Sequence, residues 1–231
     1  MKTGLMPRAE LELDGFSPDP YCKLYLPLWK LDGDSFMSKD AYGHLCTRYG
    51  TGTPPPAHWT PQGWAFDGVD DYVDIADSLS LGVKYVTIEV WLRWDNTGAA
   101  SRPYIVDGRA HKYAIYIDKP YEVNFAIMAG GGWRGEPGTN IPEVADGNCH
   151  HIVGTYDGSN LKIYFDSLLK QTTPYSGTID VGPGIARIGC YTPGGADYMI
   201  KGLIGEVLIY SRALTPQEIL DHYIIGKEMF G

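Results

Sequence analysis

Alternation of apolar and polar residues with a period of two recurs along this chain, and no other feature restricts its fold as much. In YCKLYLPLW, Leu24, Leu26 and Leu28 fall on one side and Lys23, Tyr25 and Pro27 on the other. In VTIEVWLRW, Val86, Ile88, Val90, Leu92 and Trp94 share a face opposite Thr87, Glu89, Trp91 and Arg93. EVNFAIM sets Val123, Phe125 and Ile127 against Glu122, Asn124 and Ala126. LKIYFD groups Leu161, Ile163 and Phe165, and EVLIY groups Val207 and Ile209. Successive side chains of a strand leave on opposite faces, so each run reads as a half-buried strand.

Turn clusters separate the runs: DGVDD at 67–71, DNTG at 95–98, AGGGWRGEPG at 129–138, DGSN at 157–160 and TPGGAD at 192–197. Strand-length runs broken by Gly, Asn and Asp imply antiparallel sheets packed as a sandwich. YDGSN is a hairpin signal, because Gly and Asn tolerate positive φ. One helix is expected near the C-terminus. Thr215 can cap it, Pro216 suits its first position and Glu218 completes a Thr-x-x-Glu capping box. Ile219, Leu220 and Tyr223 form its apolar stripe, and Gly226 is expected to close it. All-β chains of this length, 231 residues, often form one domain. We therefore expect a polar arm at 1–20, a candidate docking strap, and a single domain at 21–231.

Composition excludes several functions. The 19 Lys and Arg against 28 Asp and Glu leave a net charge of −9, with no basic run to neutralise phosphates, so no nucleic-acid partner is expected. No apolar run approaches the ~18 residues of a membrane helix, so no membrane insertion is expected. The first twenty residues hold no continuous apolar stretch of the kind a secretory signal needs. Cys22, Cys46, Cys149 and Cys190 match no zinc spacing, which leaves free thiols or one or two disulfides.

Three segments, in order, resemble the laminin-G-like, concanavalin A-like lectin/glucanase superfamily. They are FDGVDDYVDI at 66–75 with VTIEVWLRW at 86–94, DGNCHHIVGTYDGSNLKIYFDS at 146–167, and GLIGEVLIYSRALTPQEI at 202–219. In the second, Cys149 stands where the family usually has Trp and Ser167 where it usually has Gly. The resemblance spans most of residues 21–225. It implies a jelly roll of two curved antiparallel sheets, with one short C-terminal helix, and often a bound calcium ion. Fold alone does not choose among lectin, enzyme, adhesion and structural roles.

Catalytic patterns are sparse. β-Glucan hydrolases of the superfamily carry Glu-x-Asp-x-x-Glu on one strand, and retaining hydrolysis needs two carboxyls about 5 Å apart. No such pattern is present. Glu89 is expected to form a cross-face ion pair with Arg93. His150 and His151 are adjacent, so in a strand they face opposite ways, one read as core and one as surface. His222 has no partner at ligand spacing. The acidic turn suits calcium, which takes six to eight oxygens; Asp67 and Asp70 with loop carbonyls, and Glu206, are the candidate ligands. Asx-turn chemistry is the alternative reading of the same residues. Trp133 and Arg134, Tyr191 and Tyr198, and Trp59 are candidate ligand-binding residues, since an exposed aromatic offers a flat apolar face with a polar handle. The same groups would serve a protein interface.

We therefore expect a non-catalytic lectin-like jelly roll that binds glycan or neighbouring protein subunits. It would be displayed on an extracellular surface or a virion, reached without a recognisable secretory signal. A structural or decorating role without glycan binding, and a glycoside hydrolase or polysaccharide lyase, are the alternatives.

Overall fold

A computed structural model describes residues 18–31, 33–51, 58–76, 79–108, 111–193 and 196–231. Residues 1–17 of the expected arm lie outside it. The first described elements are β1 (Cys22–Pro27), β2 (Ser35–Met37), β3 (Leu45–Tyr49), β4 (His58–Thr60), β5 (Gly63–Asp67) and β6 (Tyr72–Ile75). Then come β7 (Val86–Trp94), β8 (Tyr104–Gly108), β9 (Tyr113–Asp118), β10 (Glu122–Ala129), β11 (Gly132–Arg134) and β12 (Thr139–Asn140). The last are β13 (His150–Tyr156), β14 (Asn160–Phe165), β15 (Leu168–Pro174), β16 (Ala186–Ile188), β17 (Lys201–Tyr210) and the helix α1 (Pro216–Phe230).

The strands make two antiparallel sheets. One runs β15-β14-β13-β7-β17-β5-β4, with β1 also paired to β17; the other runs β11-β10-β9-β8-β16-β6-β3-β2, with β12 on β10. The alternation explains the core between them. Leu24, Leu26, Ile88, Val90, Ile163, Val207 and Ile209 from the first sheet meet Ile115, Ile117, Val123, Phe125 and Ile127 from the second. Each fully buried side chain of this kind contributes about 1.5–3 kcal/mol. The expected hairpin joins β13 to β14: Asp157 Oδ1 accepts from the N–H groups of Ser159 and Asn160, both at 2.8 Å, and Gly158 takes φ +94°. The segment expected as a Gly-rich loop at 129–138 is itself partly a hairpin, in which Trp133 of β11 pairs with Met128 of β10.

The helix caps as expected, with Thr215 and Glu218 making both hydrogen bonds of the capping box. It does not end at Gly226. It continues to Phe230, because Gly226 lies against Trp91, where a Cβ would come within 2.3 Å of the indole nitrogen. Its buried side is Ile219, Gly226 and Phe230, while Leu220 is exposed. Arg212 ties the helix start to the chain start, bonding Glu218 and, at 2.6 Å, Asp19. All four cysteines are free, and three are buried.

Two sequence expectations are corrected by the helix. Glu89 does not pair with Arg93: α1 covers Glu89, which bonds His151 and His222, while Arg93 remains exposed further along the strand. His150 and His151 do face opposite ways, but neither is a surface residue. His150 stacks on Phe165 and bonds Asp166 and Asp146, while His151 lies beneath the helix.

Candidate functional site

The outer face of the second sheet carries an aromatic cluster. Asp107 pairs with Ala114, Ala114 with Ala126, and Tyr104 with Tyr116, so these side chains share the face turned away from the core. Tyr104, Ala114, Tyr116 and Ala126 form a buried cluster there, against which Trp133, Tyr191 and Tyr198 pack. The Tyr104 and Tyr116 rings stack at 4.7 Å, and Tyr191 lies 4.8 Å from Tyr104 and 3.8 Å from the His111 ring. Tyr191 and Tyr198 ride on the turn between β16 and β17; Trp133 arrives on β11. The Tyr and Trp bodies are apolar with polar tips, which suits the C–H face of a sugar or the side chains of a protein partner.

Polar groups lie among these rings. Asp107 is fully buried, with His111 Nδ1 paired at 2.8 Å from its Oδ2. Burial pushes its carboxyl above the usual range, against the pull of His111. Asn124 is also fully buried and spends its Nδ2 on Asp118 and the Glu122 carbonyl. Arg102 bonds Asp118 and Arg187 bonds Asp74 along the same face. Tyr116 Oη and Asn124 Oδ1 are buried on the same face without a hydrogen bond among the described residues.

The structure thus unites three of the five aromatic-site residues expected from sequence. Arg134 stands apart, its guanidinium over the Tyr175 ring. Trp59 belongs to the other sheet, where its Nε1 donates to the Trp29 carbonyl. Sequence reasoning missed Tyr104, Asp107, Tyr116 and Asn124. The alternation in β8, β9 and β10 put them on one face, but nothing local indicated that the 191–198 turn would cover them.

Asp67 and Asp70 come together with Asp71, one carboxylate oxygen from each lying within 4.8 Å of the others. Turn chemistry engages all three. Asp67 Oδ1 accepts from Val69 N–H, Asp70 accepts from Thr51, and Asp71 Oδ2 accepts from Asp67 N–H. The charge and spacing fit calcium, and carboxylate oxygens retain further lone pairs. Glu206 is not part of this group: Asp67 faces Lys201 across the sheet, whereas Glu206 sits opposite Trp91.

Glu206 instead lines a cleft of about 270 Å³ between α1 and the first sheet, with Glu89, His151, His222, Tyr25 and Trp91. His222 Nδ1 is 3.0 Å from Glu89 Oε1, and His151 Nε2 is 3.1 Å from Oε2. Burial would raise the Glu89 pKa, but the histidine hydrogen bonds outweigh it and hold the group near 2. Burial and the Glu89 charge lift Glu206 to about 7. His222 is raised because Glu89 outweighs its desolvation. The arrangement anchors the helix with one permanent anion.

Fold and outer face together define a lectin-like β-sandwich with an aromatic cluster on one outer face. The chain belongs to Laminin_G_3, the Concanavalin A-like lectin/glucanases superfamily, whose model matches residues 67–220. No curated protein matches it in sequence. Its fold is similar to the binding domain of botulinum neurotoxin serotype D, at TM-score 0.64 and 11% identity over 88% of this chain and 51% of that one. It is similar to the botulinum neurotoxin DC binding domain solved with rat synaptotagmin II, at TM-score 0.62 and 12% identity over 89% and 52%. It is also similar to the Trypanosoma rangeli sialidase solved with 2,3-difluorosialic acid, at TM-score 0.65 and 14% identity over 93% and 34%. The chain spans about half the length of those binding domains and a third of the sialidase.

Proposed function

We propose that this chain is a non-catalytic, lectin-like binding domain, displayed on an extracellular surface or a virion, that takes a glycan on the outer face of its second sheet. The observation that carries the reading is the packing of Trp133, Tyr191 and Tyr198 against one outer-face cluster built on Tyr104 and Tyr116. Neighbours in fold solved with 2,3-difluorosialic acid and with rat synaptotagmin II support recognition as a use of such a sandwich. Calcium belongs to this reading as an ion at Asp67, Asp70 and Asp71 that would stiffen the 67–71 turn.

A glycan screen with calcium present and with calcium chelated tests it. The native chain should bind at least one glycan class. Trp133→Ala and Tyr198→Ala should each weaken binding by roughly 1–3 kcal/mol, the range of a buried aromatic anchor, without loss of fold by circular dichroism. Silence of the native chain under both ionic conditions would count against glycan recognition and leave a protein partner as the occupant of the face.

A further inference from the structure

We propose that the cleft between α1 and the first sheet is a binding site for a small primary amine with an apolar body, whose ammonium sits at Glu206. The proposal is independent of the glycan reading, since the cleft lies on the sheet opposite the aromatic face. The cleft holds about 270 Å³, at the small end of ligand pockets. It is open as it stands: Glu206, Tyr25, Trp29, Ile225 and Met229 line it, and each is half-buried. Strand register explains why two carboxyls share it. On β17, Glu206 lies opposite Trp91 and Leu208 opposite Glu89, so Glu89 and Glu206 are diagonal neighbours on adjacent strands, on the face under the helix.

The fold provides for the two carboxyls unequally. Glu89 takes both histidines, His151 from β13 and His222 from α1. Glu206 accepts from the Tyr25 hydroxyl at 3.3 Å and has no ion-pair partner among the described residues. A cation entering the cleft is attracted by both carboxyls, and at Glu206 it supplies the partner that the histidines supply to Glu89. Burial and the Glu89 charge push the Glu206 carboxyl up to about 7, so an ammonium there meets a carboxylate that its own charge helps to form. His151 adds unmet polar capacity to the lining: it is 1% exposed, and its Nδ1 is buried without a partner among the described residues. Ile225, Met229 and Phe230 offer the apolar body a surface. Trp29 already carries an ammonium over its ring, that of Lys30 at 4.6 Å from the centroid, so this wall suits a cation. Lys30 and Lys39 also line the cleft and would draw an acid instead. Both are exposed, where solvent screens their charges, whereas Glu206 lies inside, where a charge pair counts for more.

The test titrates 2-phenylethylamine and 3-phenylpropionate, which share an apolar body and differ in charge, into the full chain by calorimetry. The expected result is saturable binding of the amine at one site, with the acid at least about tenfold weaker. The groups that face Glu206 are Glu89 and His151 on neighbouring strands, Tyr25 on β1, His222 on α1, and Lys30 and Lys39. An alkylammonium stays charged through neutral pH, as lysine does. Amine affinity should therefore rise about tenfold from near pH 6 to near pH 8, as Glu206 ionises around 7. His222, raised from its ordinary value, loses its charge as pH rises and acts in the same direction. Glu206→Gln should lower amine affinity near pH 8 by about tenfold or more. If E206Q fails to fold, the pH profile of the native chain decides. No binding of the amine, equal or tighter binding of the acid, an affinity flat in pH, or unchanged affinity in a folded E206Q would each overturn the proposal and leave the cleft as the seat of the helix alone.

Discussion

At the residue scale, the most consequential side chain outside the aromatic face is Glu89. It sits on a strand, 1% exposed, and satisfies two histidines from two different elements. Removing one member of a buried charged group leaves the others unpaired, at a cost of about 3–5 kcal/mol. Glu89→Gln should therefore lower the unfolding free energy from urea titration by that order, and a change below about 1 kcal/mol would mean that the helix does not depend on this anion. The pH dependence has a definite sign. Glu89 is lowered to about 2, so its contribution is present above the ordinary glutamate value of 4.5 and is lost as pH falls toward 2. Glu206 is raised to about 7, so stability declines as pH rises from 4.5 to 7, where the unfolded chain has already released that proton. His222 is raised above 6.5, so its share is present below 6.5 and lost as pH rises through its folded value. Melting temperature should peak near pH 4.5–5 within this network's influence, and Glu206→Gln should flatten the decline between 4.5 and 7. A profile identical to the native one would remove Glu206 from the account.

At the element scale, α1 is held by fit more than by propensity. Gly226 is within a helix, where alanine would ordinarily be better by about 1 kcal/mol. Here a Cβ would fall 2.3–2.5 Å from three atoms of the Trp91 indole, which is itself stacked with Tyr223 and His151. Gly226→Ala should thus destabilise the chain by about 1–3 kcal/mol, the usual range for overpacking, while Leu220→Ala on the exposed side should be nearly neutral. Equal melting temperatures for G226A and the native chain would show that the helix yields at this contact. The same residue marks where sequence reading stops. Strand faces were legible because period two is a local property: Leu24, Ile88, Phe125 and Val207 all point to the core as their spacing demands. The capping box was legible for the same reason. Gly226 read as a terminator because its reason for being glycine is Trp91, a residue on another element. Glu89 and His222 are 133 positions apart, and Tyr104 and Tyr191 meet only because β16 pairs β8. Sites assembled by strand order leave little trace in any one segment, which is why Trp133, Tyr191 and Tyr198 were nameable singly while the acceptors beneath them were not.

At the scale of the whole molecule, the two sheets have unlike outer faces. The first is covered by the chain's own helix, and the second by a turn and a row of rings. Asp19 is clasped by Arg212 beside the start of α1, on the first sheet, away from the aromatic face of the second. Residues 18–20 therefore belong with the sandwich. We propose residues 1–17 as a docking strap for a neighbouring subunit. Deleting residues 1–17 should then separate two properties. The melting temperature should move by less than about 2 °C, because the clasp at Asp19 is retained, whereas Asp19→Ala should lower it by about 2–4 °C for a loss near 1 kcal/mol. Size-exclusion of the full chain should give a species above its own 25.5 kDa, and the deletion should return it to that mass while glycan binding per chain is unchanged. Identical elution of the two would end the strap assignment. Loss of glycan binding on deletion would mean that the arm serves ligand binding and not assembly.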